Sequence, residues 1–362
     1  MLRRSLPFWT WLAPLIGGAL VGTALSGVRD PALLAALGVA LIACVLAAVH
    51  HAEIIAHRVG QPLGSFLLAI AVTIIEVSLI VALMLANPHA TTALARDTVF
   101  AEVMIIVNGM VGFCLILGGS RHREQEFGLQ GVSGALAALA TLSILVLVLP
   151  NATGAPGPQY SPSHLAFVGI VSLLLYLVFA FVQTVRHPDH FSLVADDGGD
   201  DAGEPHAPPP GNLVTALGAI LLLACLAIVV RGSAVLAPSI EHGIERMGAP
   251  PAVLGIVIGL IVLAPESLAA LRAAFADRLQ TSLNLTIGSA LASIGLTIPA
   301  VAALSLINGW PLALGLDMRE TILLILSLIV ATLSLGTGRT TVLQGAVHLV
   351  IFAVYLFTTM VP

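Results

Sequence analysis

This sequence predicts an all-α polytopic membrane protein, on three observations. Of its 362 residues, 58% are hydrophobic and 9% charged, where a soluble domain carries about 25% charged residues; the mean hydropathy is +1.04. So few charges cannot cover a water-facing surface. The apolar residues also fall into runs of about 20, the length a helix needs to cross roughly 30 Å of hydrocarbon. Short Pro, Gly and polar breaks such as "GVRDP" (27–31) and "LINGWP" (306–311) separate the runs.

Eleven transmembrane helices follow from these runs. The first, 8–27, stands behind Arg3-Arg4; it is longer than a signal-peptide core and more spans follow it, so it reads as a retained helix. The second, 32–52, ends in the polar stretch "HHAEIIAHR". The third, 64–86, begins after "GQPLG", and the fourth, 98–118, stops before the basic "RHR" at 121–123. The fifth, 132–150, ends at Pro150, and the sixth is 164–184. Residues 186–211 then hold six acids and five prolines with little apolar mass, too little to order themselves by burial. The seventh span is 212–231. Beyond it, "SIEHGIERM" (239–247) reads as a short interfacial helix with Ile240, Ile244 and Met247 on one face. The last four are 250–271, 283–307, 319–336 and 342–361.

The chain holds 14 arginines and no lysine. With the N-terminus inside, Arg3, Arg4, Arg58, Arg121, Arg123, Arg186, Arg272, Arg278 and Arg339 fall on the cytoplasmic side. Arg29, Arg96, Arg231, Arg246 and Arg319 fall on the other. The excess favours a cytoplasmic N-terminus and acidic linker, with the C-terminus outside. Cys44, Cys114 and Cys225 each lie alone in an apolar run and read as small packing residues. The linker acids Asp196, Asp197, Asp200 and Asp201 do not have EF-hand spacing and read as a solvated tether.

Two glutamates stand out. "IAVTIIEVSLIVALML" (70–85) places Glu76 mid-span, and "IGLIVLAPESLAALRA" (258–273) does the same for Glu266. A Gly-x-Pro precedes each, in "GQPLG" (60–64) and "GAPPA" (248–252). The two spans are five apart, so they thread the membrane in opposite directions. The pattern is an inverted-topology repeat. It divides the chain into an extra N-terminal transmembrane helix (1–30), a first five-helix repeat (31–185), an acidic cytoplasmic linker (186–211) and a second five-helix repeat (212–362).

A carboxylate near the bilayer centre costs at least about 2.5–3.5 kcal/mol. Protonation relieves that cost, and so does a bound cation. Two carboxylates match one divalent cation or two protons, and oxygen-only ligation suits Ca2+. Pro265 cannot donate to the Ile261 carbonyl, which adds an oxygen beside Glu266. Thr73, Asn108, Ser289 and Ser293 are the side-chain candidates for further metal ligands. Glu53 and His57, four apart at the end of span two, and Glu102, about one turn into span four, are further proton-coupling candidates beside Glu76 and Glu266. His348 reads as a hydrogen-bonded core residue. No "GxxxxGK[ST]" or "HExxH" occurs, so neither nucleotide hydrolysis nor zinc proteolysis is indicated, and no catalytic residue or resident cofactor is expected. Three functions remain open on these residues: a secondary antiporter, a passive cation channel filtered by the same acids, and an intramembrane hydrolase using the carboxylate pair.

The stretches "HHAEIIAHRVGQPLGSFLLAIAVTIIEVSLIVALM" (50–84), "LNLTIGSALASIGLTIPAV" (283–301) and "GTGRTTVLQGAVHLVIFAVYL" (336–356) resemble the cation/Ca2+ exchanger superfamily, in its bacterial calcium/proton and sodium, potassium/proton antiporter branch. The resemblance extends over nearly the whole chain. It implies exchange of cytoplasmic Ca2+, and also Na+ or K+, for protons by alternating access in a bacterial inner membrane. Its partners are then metal cations, protons and lipid, with no nucleic acid. It implies Glu76 and Glu266 as cation ligands and proton carriers, and Ser289 in "GS" as a ligand on the following helix. Many members carry Asn three residues before each acid; here Thr73 and Leu263 stand there, so one ligand per half differs.

Overall fold

The computed structural model describes residues 6–28, 30–59, 63–86, 92–153, 157–191, 210–248, 250 and 252–361. The expectations placed on Arg3, Arg4, Arg29 and the linker acids at 196–201 lie outside these residues, as do parts of the Gly-x-Pro stretches before the two acids.

Eleven long helices make up the described chain. They are α1 (Phe8–Leu25), α2 (Pro31–Val59), α3 (Leu63–Ala86), α4 (Leu94–His122), α5 (Leu129–Ala152), α6 (Pro162–Arg186), α7 (Asn212–Met247), α8 (Ala252–Phe275), α9 (Leu279–Asn308), α10 (Met318–Leu335) and α11 (Val342–Met360). By length and composition, ten have segments able to cross a bilayer, and the apolar stretch Ala69–Leu85 of α3 adds an eleventh, shorter one. The protein is an all-α, multi-pass membrane protein, and each expected span has its helix.

Local chemistry sets the ends. Ser161 caps α6, accepting the His164 backbone N–H, with Pro162 at the first helical position. Asp317 and Glu320 form a reciprocal capping box at the start of α10, and Thr341 and Gln344 do so at α11. Gly309, at φ +66°, ends α9 in the left-handed region where a Cβ is disfavoured. Four of these helices contain π-helical turns: Ile105–Met110 in α4, Ile144–Val148 in α5, Val182–Arg186 in α6 and Ser293–Thr297 in α9.

One expectation fails. "SIEHGIERM" is not a separate interfacial helix: α7 runs unbroken through Pro238 to Met247. A proline removes only one intrahelical hydrogen bond, and Ile240 extends the packed face formed by Leu236 with Val21, Leu37 and Leu41. At about 1.5 Å per residue, 36 residues exceed the hydrocarbon thickness, so the last turns of α7 project beyond it.

The helices form two compact units, one of α1–α3 with α7 and the other of α4–α6 with α8–α11. In the first, glycines set close approach. A Cβ on Gly17 would stand 2.8 Å from Cys44 Sγ, and one on Gly232 would stand 2.6 Å from Leu41 Cδ2. The buried His51 ring meets the Thr10 carbonyl at 3.1 Å and joins α2 to α1. Cys44 and Cys225, unlinked by any spacing in the sequence, come into thiol–thiol hydrogen-bond contact between α2 and α7.

In the second unit α4 is the central helix, with 89% of its apolar window buried. It packs on α11 through Gly112 and Gly345, where a Cβ on Gly345 would stand 2.8 Å from the Gly112 carbonyl oxygen. A two-residue antiparallel ladder, β1 (Gln125–Glu126) with β2 (Arg339–Thr340), ties the loop after α4 to the loop before α11. Arg339 spans the same ladder with an exposed ion pair to Glu126 at 2.6 Å.

Candidate functional site

The acid-bearing helices come first. On α3, Glu76 is 1% exposed among Ile75, Ile80 and Ala71, with half-buried Thr73 one turn before it. On α8, Glu266 is half-buried and follows Pro265 inside a helix that stays regular. The serines beside the two acids do not serve them. Ser78 Oγ donates to the Ile74 carbonyl and Ser267 Oγ to the Leu263 carbonyl at 2.7 Å, each within its own helix.

Glu266 belongs to the second unit, and its surroundings there can be built from the glycines of α8. A Cβ on Gly255 would lie 2.7 Å from the Asp97 carbonyl group, and one on Gly259 would lie 3.0 Å from Glu102 Cγ and 3.2 Å from Ile105 Cδ1. These two glycines, four apart, form a small-residue face on which α4 rests. The contacts advance together along both chains, so α4 and α8 run in the same direction. Seven residues beyond Gly259 on the same face, Glu266 is about 10 Å further along, level with the π segment Ile105–Met110 of α4.

Helix α9 returns antiparallel to α8 after the short turn at 276–278. Its Ser293 is 5% exposed and donates a hydrogen bond to the Glu102 carboxylate. Ser289, half-buried, lies one turn back on α9, toward the level of Glu266. The structure therefore brings Glu102 and Ser293 together and sets Ser289 on their Glu266 side. Irregular backbone, expected at Pro265, occurs instead in the two helices packed on α8, as π segments in α4 and α9. Such single-turn π segments recur at functional sites because they displace the regular carbonyl pattern.

Glu102 is not an acid one turn into its span. Helix α4 starts at Leu94, four residues earlier than the hydropathy indicates, because Arg96 and Asp97 are absorbed into its first turn as a pair at 2.7 Å. Arg96 also donates to the Gly315 carbonyl at 2.9 Å. Glu102 thus lies over two turns inside, with no solvent exposure. The sequence did carry a signal for this, the spacing of Gly255 and Gly259 in "GIVIG", which marks a close helix seam but not its occupant.

Asn108 meets protein groups at both ends of its amide. Its Nδ2 donates to Ser327 Oγ at 2.8 Å, and its Oδ1 accepts from His348 Nδ1 at 3.3 Å. Ser334 Oγ lies 2.7 Å from His348 Nε2, which completes a buried network across α4, α10 and α11. An amide oxygen only accepts, so the proton sits on Nδ1 and Ser334 donates to Nε2. His348 is thus the bonded core residue its setting suggests. Substituting Asn108 by Leu is expected to cost about 1–3 kcal/mol by stripping His348 of a buried partner. Thermal unfolding in detergent measures this.

Glu53 and His57 are exposed near the end of α2, and no hydrogen bond or ion pair joins them among the described residues. Nearby Arg58 donates to Asn212 Oδ1 at 2.6 Å. No group of three or more His, Cys, Asp or Glu side chains is gathered for a metal among the described residues.

Residues 30–185 and 217–361 match the sodium/calcium exchanger protein family. The chain is 50% identical over 363 residues to y4hA, an ionic transporter candidate of Sinorhizobium fredii, covering 98% of this chain and 97% of that one. It is 39% identical over 326 residues to the sodium-potassium/proton antiporter ChaA of Escherichia coli, covering 90% and 87%. Among solved structures, YfkE shares the fold with a TM-score of 0.72 at 17% identity, over 96% of this chain and 99% of that one. With most of its length matched in two blocks and a relative at 50% identity end to end, the chain belongs to the sodium/calcium exchanger protein family.

Proposed function

We propose that the protein is a secondary cation/proton antiporter. It exchanges cytoplasmic Ca2+, Na+ or K+ for protons by alternating access, with Glu76 and Glu266 as the groups that hold cation and proton in turn. One observation carries this reading: in a member of an exchanger family, one glutamate lies inside each of two apolar helices, Glu76 in α3 and Glu266 in α8. A carboxylate in that medium needs a counter-charge or a proton, so taking up one releases the other. The likeness to ChaA favours Na+ and K+ beside Ca2+ among the cargo. Thr73, Asn108, Ser289 and Ser293 remain candidates for further oxygen ligands, and Glu53 and His57 for the proton entrance.

The proposal places the chain in a bacterial inner membrane as a transporter without catalytic chemistry. Its N-terminus and acidic linker are cytoplasmic and its C-terminus outside. It treats 31–185 and 212–362 as inverted five-helix repeats behind an extra first helix.

The test uses purified protein in liposomes loaded with a pH-sensitive dye. Each of Ca2+, Na+ and K+ is added in turn under an imposed pH gradient with the membrane potential clamped. Antiport predicts that each transported cation drives proton movement the opposite way. Cation flux that continues at the same rate with no proton counter-movement would instead establish a channel.

A further inference from the structure

We infer that the C-terminal ends of α4 and α8 form a binding site for an anionic phospholipid. Arg121 and Arg272 hold its headgroup, and its acyl chains lie along apolar residues of the same two helix faces. The inference needs only that the chain spans a membrane; it is independent of which cations are exchanged.

The site is built from two faces. On α4, Phe113, Leu117 and Arg121 follow one another at intervals of four and are all exposed. On α8, Leu268, Arg272 and Phe275 are spaced by four and three and are likewise exposed. The two helices run in the same direction, and their ends meet. The Arg121 guanidinium carbon lies 4.3 Å from the centre of the Phe275 ring, and His122 Nε2 lies 3.3 Å from the Phe275 carbonyl oxygen. Each face is therefore apolar first and basic at its end, and the two basic ends adjoin. A phospholipid has the same polarity along its length. Stacking on Phe275 engages the flat face of the Arg121 guanidinium and leaves its N–H edge to donate.

Charge selects the headgroup. Arg123 and Arg278 are exposed in the adjoining turns. The acids beside them are largely engaged. Glu126 pairs with Arg339 at 2.6 Å, and Asp277 accepts from Gln125 Nε2 at 2.8 Å, with His122 Nδ1 3.9 Å away. Glu124 is exposed. Among the described residues, no carboxylate pairs with Arg121, Arg123, Arg272 or Arg278. Guanidinium groups take a phosphodiester through paired N–H donors, and basic clusters between helix ends at the membrane surface hold anionic headgroups. A zwitterionic headgroup would bring its own ammonium into this positive surplus, so a net anionic lipid fits better. In the proposed orientation the site faces the cytoplasmic leaflet. A lipid seated there bridges α4 to α8, the helix that carries Glu266.

The experiment measures binding of dioleoyl phosphatidylglycerol and dioleoyl phosphatidylcholine to the purified, delipidated full-length protein by native mass spectrometry. Wild type is expected to bind the anionic lipid about tenfold more tightly, the scale of one charge-assisted contact. The double variant Arg121→Gln, Arg272→Gln should bring the two lipids within about twofold of each other, with phosphatidylcholine binding unchanged. Each single Gln variant should lose about threefold for phosphatidylglycerol, which covers the case in which the double variant does not fold. Arg186→Gln, at an exposed arginine ending α6, is the control and should keep the full preference. Equal binding of the two lipids by wild type, an undiminished preference in the Arg121 and Arg272 variants, or an equal loss in the control overturns the site. Displacement of phosphatidylglycerol by inorganic phosphate, but not by chloride at the same ionic strength, would assign the arginines to a soluble anion and overturn the lipid.

Discussion

Replacing Glu266 by Gln is expected to lower cation-driven proton movement by about 100-fold or more, and Glu76→Gln to do the same. Gln keeps the shape of the side chain and its oxygen. It has no charge to attract a cation and no proton to exchange for one. Losing a charge-assisted contact of up to about 3 kcal/mol accounts for that factor on affinity alone. Loss of the proton carrier removes coupling as well. Wild-type protein should also need more cation for half-saturation as pH falls on the cation side, since protons compete for the same oxygens. In the Asp variants the competition should persist, because the carboxylate remains. The measurement is dye-reported proton flux in liposomes, with folding checked by size exclusion. Either Gln variant running at wild-type speed would remove the basis of the proposed mechanism.

The second large effect falls on stability. Substituting Gly255 by Val should loosen the second unit, because the new Cβ would stand 2.7 Å from the Asp97 carbonyl group and 2.8 Å from the Thr98 backbone nitrogen. Backbone in the first turns of a buried helix cannot move aside as the tip of a side chain can. Overpacking of this kind costs about 1–3 kcal/mol, and a forced parting of α4 from α8 costs more. Gly134→Val is the control, since nothing lies within 4 Å of a Cβ there. The expected result is a clearly lower unfolding temperature for the Gly255 variant, with the control near wild type. Because the same seam holds Glu102 and leads to Glu266, exchange should fall with stability. Equal unfolding temperatures for the two variants would show that the helices do not pack as closely as the glycine face indicates.

Much of the architecture was readable from residue order. Hydrophobic runs long enough for a bilayer marked every long helix, because backbone groups in hydrocarbon leave few alternatives to a helix. Boundaries moved where charged residues joined a helix turn, as Arg96 and Asp97 did at α4. Periodicity misjudged 239–247 because a proline looks like a break and is tolerated inside α7.

The candidate acids were legible for a different reason. A glutamate amid Ile, Val and Leu stands out in one dimension, since its cost depends on the medium and not on its neighbours in space. Its partners are set by helix contact. "AEVM" around Glu102 resembles many interfacial stretches, and only the Gly255–Gly259 face and Ser293 make it a buried member of the seam. Asn108 shows the converse. A polar residue mid-span gives no sign in the sequence of the His348 and Ser327 side chains that meet its amide.

The order of residues alone therefore determined that the chain spans a membrane as a series of helices and that two of them carry an acid. Those properties follow from the energy of each side chain in hydrocarbon, which is local. Tertiary structure decided which polar groups meet, because contact depends on the facing and depth of separate helices. Residues as far apart as Glu102 and Ser293 have no relation until packing supplies one.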